Sequence, residues 1–571
     1  MLWRLLRSAI APSRTAAHEV QRALGLTRAG RQVEAEQLLR AAVRQYPDDA
    51  AAATNLAVVL LDQDRAQEAV PLLQRALEIA PRFAPALFNY AHILRFSGRL
   101  AEAISHYEAA TVEDPSFAPA YEALMQALLD ACDWDGAERL GDELRRRAEH
   151  DAPETWMPFV SPLTAIFLGL DAERCKATAA FHAPKPAPRN RPSLLRPRRA
   201  EDNRRLRVAY LSRDFRDHAT SQLLGGALGL HDRTRFEVHA YSFGVDDGSS
   251  YRQGIIGSVD SFTDIAHMSD DEAATLIADA RIDVLLDLAG HTTGNRLGIL
   301  ARRCAPVQAH YLGYPGTLGA SYVDYFIGDP IASPPELDVQ FTERVIRVPD
   351  CYQLNDCAAA FAIAPARRAE HDLPDEAFVF CNFASASRID RRTFGLWMRI
   401  LHAAPGSLLW LLHPSAATIE NMSREATRRG VDPKRLVFGD FREKNAHLAR
   451  LACADLALDT LEWCNGHTTT SDVLWAGVPT LTSPGQTFAT RVAASLVLNA
   501  GLPELVVDSD DAYCTRAIEL AHDRAGTAAL RHRLRAARGS APLFDTTGLV
   551  RGLEDAYEAM YAARIRPPAG L

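Results

Sequence analysis

The stretch "LALDTLEWCNGHTTTSDVLWAGVPTLTSPG" (456–485) reads as a strand, a helix and a second strand in immediate succession. "LALDT" is a short apolar run, "HTTTSDVLWAG" opens a helix, and "VPTLTSPG" returns to strand texture. A strand that rejoins its own sheet through a helix makes a parallel, doubly wound unit. Ligands of such sheets sit outside the carboxyl ends of the strands. The row His467, Thr468, Thr469, Thr470, Ser471 and Asp472 therefore falls where a ligand is expected. Open amide N–H groups and the positive end of a helix attract phosphate there, and threonine hydroxyls add uncharged donors. Thr469 and Asp472 have capping-box spacing, which predicts that they fix the helix start. His467 is placed to donate to an anionic oxygen or a base. Taken alone, the loop reads more simply as a capped helix with a surface histidine.

The same alternation extends in both directions. "FVFCNFA" (378–384), "SLLWLLHP" (407–414) and "RLVFGDF" (435–441) join the two runs above as strands of one αβ lobe. "LRVAYLS" (206–212), "FEVHAYSFG" (236–244), "IDVLLDLAG" (282–290), "VQAHYLGYPG" (307–316) and "YVDYFIGDP" (322–330) define an earlier one. "DEAATLIADAR" (271–281) and "NRLGILARR" (295–303) have helical periodicity between its strands. The amphipathic "LVRGLEDAYEAMYAARI" (549–565) is expected to pack across both lobes.

Ahead of the lobes lies a repeat. Pro47, Pro81 and Pro115 share one spacing with Ala35, Ala69, Ala103 and Ala137. Turn residues Gly30, Asp64 and Gly98 and the small residues Ala23, Ala57 and Ala91 keep the same register. "YPDDAAAATNLAVVLLDQDRAQEAVPLLQRALEIAP" (46–81) reads as helix, turn, helix, with proline after the second helix because it cannot donate the next hydrogen bond. The pattern resembles the tetratricopeptide repeat. About four units fit between residues 16 and 150, the last with Cys132 at the turn position. Stacked helix pairs form a concave surface suited to a peptide, a dimerisation or spacer role being the alternative.

The bulk numbers agree with a modular globular protein: 571 residues, 47% hydrophobic, 24% charged, and no apolar run long enough to span a membrane. Arg4 and Arg7 interrupt the N-terminal apolar residues, so a signal peptide is not expected and a cytoplasmic location is the default. Nine cysteines without a Cys-x-x-Cys pair indicate buried thiols rather than a zinc site or disulfide framework. A net charge of −9 argues against nucleic acid as a partner. The one basic run, Lys185 to Arg207, is interleaved with Pro184, Pro186, Pro188, Pro192 and Pro197 and reads as a solvated linker.

Further polar groups follow the other strands. Lys444, His447 and Arg450 share one helical face, suited to a base and ribose. Arg388 follows the first strand of the second lobe with Ser385 one turn earlier, and its guanidinium suits a diphosphate. Each could be a solvated face; together at one sheet edge they favour a nucleotide-diphosphate site. In the first lobe His218 follows the opening strand, where it could handle a proton or orient a hydroxyl. "GYPGT" (313–317) brings glycines to another strand end, where backbone can approach a sugar closely. "DSD" (508–510) precedes a helix and reads as an N-cap rather than a metal-binding acidic motif.

Together these residues resemble the protein O-GlcNAc transferase family, whose members carry tetratricopeptide repeats before a split GT-B glycosyltransferase domain. The most specific segment is "NGHTTTSDVLWAGVPTLTSPGQTFATRVAAS" (465–495), supported by "RDHATSQL", "APVQAHYLGYPGT" and "CNF...RID". The resemblance implies an α plus α/β chain: a tetratricopeptide superhelix, then two Rossmann-like lobes. It implies inverting transfer of N-acetylglucosamine from UDP-GlcNAc to Ser or Thr hydroxyls, with no metal or other cofactor. By the same resemblance His467, Thr468 and Thr469 hold the diphosphate, Asp472 the ribose or nearby loop, and Lys444, His447 and Arg450 the ribose and uracil. Leu312 and Gly313 lie near the sugar and His218 near the acceptor, with Ser385 among the substrate-binding residues and His218 and Arg388 as the expected catalytic residues. The family usually has Lys where Arg388 stands, and Gln or Asn where Ser385 stands. The "LDTLEWCNGH" connection is one residue longer than the family's.

The expected divisions are repeats over 16–150, a helical, Pro/Arg-rich linker over 151–204, a first catalytic lobe over 205–370, a nucleotide-sugar lobe over 371–545, and a terminal helix and tail over 546–571. The expected partners are a protein or peptide acceptor along the repeat groove and a UDP-sugar donor, with a homodimer left open and no membrane. Two alternatives stand beside this reading: a SPINDLY-type O-fucosyltransferase using GDP-fucose, and a repeat scaffold weakened in catalysis by Arg388 and Ser385.

Overall fold

In the computed structural model the described residues are 16–28, 31–188, 193–195, 204–357, 366–412 and 415–565. Gly30, Arg4, Arg7, Pro192, Pro197 and residues 566–571 lie outside them. The chain divides into two compact units, Met1–Thr164 with Pro414–Met422, and Ala165–His413 with Ser423–Leu571.

The first unit is a stack of helix pairs: α1 (Ala17–Arg28), α2 (Gln32–Gln45), α3 (Ala50–Asp62), α4 (Ala66–Ile79), α5 (Ala84–Phe96), α6 (Leu100–Glu113), α7 (Ala118–Asp130) and α8 (Trp134–His150). Ala23, Ala57 and Ala91 are fully buried, as are Ala35, Ala69 and Ala103, because the paired helices leave no room for more than a methyl group. The tight turn inside the α3–α4, α5–α6 and α7–α8 pairs takes a left-handed residue: Asp64 has φ 60°, Gly98 76° and Cys132 49°. Cys132 thus takes the glycine conformation without being glycine. Asp49 and Asp133 cap α3 and α8 by accepting the amides of Ala52 and Gly136.

The stretch expected as a linker contributes helices at Pro153–Trp156, Pro162–Phe167 and Ala172–His182. From Ala165 onward it belongs to the second unit. Ala187, for example, donates its amide to the Ala301 carbonyl.

The second unit contains two all-parallel sheets. The first runs β3-β2-β1-β4-β5-β6-β7, formed by β1 (Leu206–Ser212), β2 (Phe236–Ser242), β3 (Ser261–Asp264), β4 (Val284–Asp287), β5 (Val307–His310), β6 (Tyr325–Gly328) and β7 (Arg344–Arg347). The second runs β10-β9-β8-β11-β12, formed by β8 (Phe378–Asn382), β9 (Ser407–Leu412), β10 (Leu436–Gly439), β11 (Leu456–Leu458) and β12 (Thr480–Leu481). Helices cover both faces, which is why β4 and β8 are buried along their whole length. Strand order reverses between β1 and β4 and between β8 and β11, and each reversal opens a crevice at the carboxyl ends.

The helix Thr546–Ile565 is anchored on the first lobe. Tyr557 shares a hydrogen bond of 2.9 Å with Tyr210 of β1, and Glu554 meets His231 at 3.0 Å. Between the lobes, the Ser495 hydroxyl donates to Asp329 at 2.7 Å and the Arg491 Nε to the Ile331 carbonyl at 2.9 Å. Among the described residues no helix is long and apolar enough to cross a membrane.

Candidate functional site

The loop after β11 is held from below. Asp459, 2% exposed, accepts the Gly466 amide at 3.1 Å and the Thr482 hydroxyl at 2.6 Å, and burial pushes its carboxyl up to about 6. The Thr460 hydroxyl donates to the Cys464 carbonyl, and the Asn465 amide to the Ala489 carbonyl. The helix His467–Trp475 starts directly after Gly466, whose position has no side-chain cap. The expected capping box of Thr469 and Asp472 does not form, because both residues lie inside the helix. The Asp472 carboxylate accepts from the Lys444 ammonium instead. This start leaves the amides of His467, Thr468 and Thr469 without an acceptor among the described residues.

His467 has φ 31°, an uncommon backbone for a side-chain-bearing residue. Burial, and after it the Arg388 charge, hold its pKa down to about 3 against a smaller opposing pull from the Ala489 backbone. The ring is therefore neutral. Its Nδ1 lies 3.5 Å from the Tyr352 hydroxyl, and its Nε2 is buried with no close partner among the described residues. Arg388 closes the short turn Ala386–Arg388 after β8, near enough for its charge to act on both His467 and Cys464. Ser385 begins that turn, its hydroxyl 3.3 Å from that of Ser387.

Lys444, His447 and Arg450 share the helix Lys444–Leu451 but have different surroundings. Lys444 pairs with Asp472. His447 packs edge-on against Phe383 with ring centres 5.2 Å apart, and burial, then the Arg450 and Lys444 charges, hold it down to about 3. Arg450 is 2% exposed, with its guanidinium 4.6 Å above the Phe383 ring. It donates to His447 Nδ1 at 3.0 Å and to the Asp440 carbonyl. That bond occupies Nδ1 and leaves the proton of neutral His447 on Nε2, so His447 offers an N–H donor.

In the first lobe, His218 caps the helix Ala219–Leu224, its Nδ1 accepting the Thr220 amide at 3.2 Å. Burial lowers its pKa and Asp214, 3.8 Å away, opposes the shift. Leu312 has φ 76°. A Cβ on Gly313 would fall 1.9 Å from the Leu288 carbonyl oxygen, so the close approach that requires glycine is to the protein's own backbone. Ser509 caps the helix Asp510–His522, as the "DSD" reading anticipates.

The two lobes meet over this region. Gln222, one turn after His218, lines a shallow, solvent-open recess together with Asp356, Lys444, Ser471, Asp472 and Trp475. The Gln353 amide donates to the Ser471 hydroxyl at 2.6 Å. Leu312 and Gly313 make their backbone contacts within the first lobe. The sequence reading did not single out Asp459, Tyr352 or Gln353. Only Asp459 carried a signal, being an acid directly after an apolar strand. Among the described residues no three His, Cys, Asp or Glu side chains group to hold a metal ion.

A parallel two-lobed chain with a phosphate-ready helix start at the crevice describes a nucleotide-sugar glycosyltransferase fold. The Glycosyl transferase family 41 profile matches residues 131–367 and 359–553, and tetratricopeptide-repeat profiles match 20–82 and 72–105. The chain belongs to glycosyl transferase family 41. It is 35% identical over 456 residues to a probable UDP-N-acetylglucosamine–peptide N-acetylglucosaminyltransferase, SEC, of Arabidopsis thaliana, covering 77% of this chain and 46% of that protein. It is 29% identical over 550 residues to a UDP-N-acetylglucosamine–peptide N-acetylglucosaminyltransferase of Caenorhabditis elegans, covering 75% of this chain and 48% of the relative. The chain thus spans about half the length of these curated relatives. A solved lysine-to-methionine mutant of Thermobaculum terrenum O-GlcNAc transferase aligns with a TM-score of 0.68 and 28% identity, covering 98% of each chain.

Proposed function

We propose that this protein is an inverting glycosyltransferase that moves N-acetylglucosamine from UDP-GlcNAc to serine or threonine hydroxyls of proteins, without a metal. One observation carries the reading: the amides of His467, Thr468 and Thr469 open a helix without protein acceptors, beside the Arg388 charge. Negative charge builds on the diphosphate as the bond to the sugar breaks, and donors fixed in advance stabilise it at no reorganisation cost. The helix-start amides and threonine hydroxyls supply uncharged donors, and Arg388 supplies the cation. Lys444, already paired with Asp472, keeps the ribose side near neutral. His447 directs its N–H to a carbonyl of the base, which suits uracil. His218 donates to the acceptor side, and the repeat stack holds the acceptor peptide.

Thermal unfolding with UDP, with GDP and without nucleotide tests the reading, each run with and without EDTA. UDP at 100 times its Kd stabilises by about 2.7 kcal/mol. A UDP-selective shift that survives EDTA, with N-acetylglucosamine transfer to a serine/threonine peptide pool, is expected. A GDP-selective shift transfers the assignment to a fucosyl donor, and the absence of any shift refutes it.

A further inference from the structure

The crevice where β1 and β4 part is flanked by two histidines, and the structure assigns them opposite chemistry. His218 follows β1; His291 follows β4, in "AGHTT" (289–293). Their loops are tied together by Arg213, whose guanidinium donates to the Thr293 carbonyl. His218 uses Nδ1 to accept the Thr220 amide, so its neutral form carries the proton on Nε2 and can only donate from there. His291 is the reverse. Its Nε2 lies 2.9 Å from the Leu318 carbonyl, which can only accept, so the proton sits on Nε2 and the lone pair on Nδ1.

The ring of His291 is braced. Tyr314 packs edge-on against it with centres 5.5 Å apart. His310 stands behind, its Nε2 2.8 Å from the Tyr314 carbonyl and its Nδ1 3.4 Å from the Asp287 carboxylate. Both nitrogens of His310 face acceptors, and Asp287 raises its pKa against the effect of burial. His291 is pushed down to about 4 by burial, with Leu318 and Asp287 opposing and the His182 and His310 charges reinforcing. Its lone pair is available at every pH above that value.

We propose that His291, rather than His218, accepts the proton of the attacking hydroxyl, an assignment that rests on the glycosyl transfer proposed above. The acceptor oxygen forms its bond to the anomeric carbon while the bond from that carbon to the β-phosphate oxygen breaks. The breaking pair leaves on UDP, and the hydroxyl proton passes to His291 Nδ1, which later returns it to water. A weak base suffices, because the attacking hydroxyl becomes strongly acidic as its oxygen bonds to carbon.

The test measures UDP release from UDP-GlcNAc with a serine/threonine peptide library as acceptor, for wild type, His291→Ala, His291→Asn and His218→Gln. Loss of a positioned base lowers kcat by about 10²–10⁴-fold. Both His291 variants should show that loss with UDP affinity within about twofold of wild type, which also establishes that they fold. Added imidazole should restore part of the His291→Ala rate and none of the His218→Gln rate. Activity of both His291 variants within about threefold of wild type overturns the assignment, as does a loss that imidazole cannot repair. Failure of the wild type to bind UDP refutes the underlying function instead, and this assignment with it.

Discussion

Replacing Asp459 by Asn should change how stability depends on pH. The carboxyl is 2% exposed and pushed up to about 6. In the unfolded chain it titrates at about 3.9. Between those values the folded protein holds a proton that the unfolded chain has released, so stability falls as pH rises through the window. The shift of roughly two units corresponds to about 3 kcal/mol, present in full below about pH 4 and lost above about pH 6. Asn cannot titrate. Its Oδ1 can still accept the Gly466 amide, now at 3.1 Å from Asp459, and the Thr482 hydroxyl can turn to accept from its amide. The stability of Asp459→Asn relative to wild type should therefore climb by about 3 kcal/mol between pH 4 and pH 7. Urea unfolding followed by tryptophan fluorescence at four pH values in that range measures the difference, since Trp397 and Trp410 are buried in the same lobe. A difference that stays flat within about 0.5 kcal/mol refutes the placement of that carboxyl.

Removing the cation with Arg388→Ala should lower kcat for UDP release by about 10²–10³-fold, whereas Arg388→Lys should keep most of the rate. Gly313→Ala would set a methyl 1.9 Å from the Leu288 carbonyl, so the loop must move; a loss of about 1–3 kcal/mol in thermal unfolding is expected. Glu554→Ala removes a carboxylate with no exposed surface and leaves His231 and the Asp232 amide without their acceptor. That change should cost about 3–5 kcal/mol, read as a lowered unfolding midpoint.

What the letters revealed follows from burial. β4 and β8 are covered on both faces, so "VLLD" and "FVFCN" are nearly continuous apolar runs that stand out in sequence. β3 and β7 are edge strands with half-exposed residues, and "SFTD" and "RVIR" carry no such pattern. The repeat was legible because identical helix pairs need the same small residues at the same spacing. At the site, polar residues after a strand end were visible as letters, but their partners were not. Arg450 shares a helical face with Lys444, yet Phe383, directly after β8, captures it in the interior, a contact between distant segments. The helix start at His467 likewise depends on Asp459, directly after the preceding strand, holding Gly466, which overrides the local capping signal of Thr469 and Asp472.

The bond between Tyr210 and Tyr557 joins residues 347 positions apart. At a synthesis rate of roughly 5–20 residues per second, the first lobe waits about 20–70 s after its central strand emerges before that hydroxyl has its mate. The helical repeats and all seven strands of this lobe's sheet emerge before Tyr557, so that bond is among the last contacts the first lobe can make. Until the helix Thr546–Ile565 emerges, the face of the first lobe on which it anchors stays uncovered and open to chaperone capture.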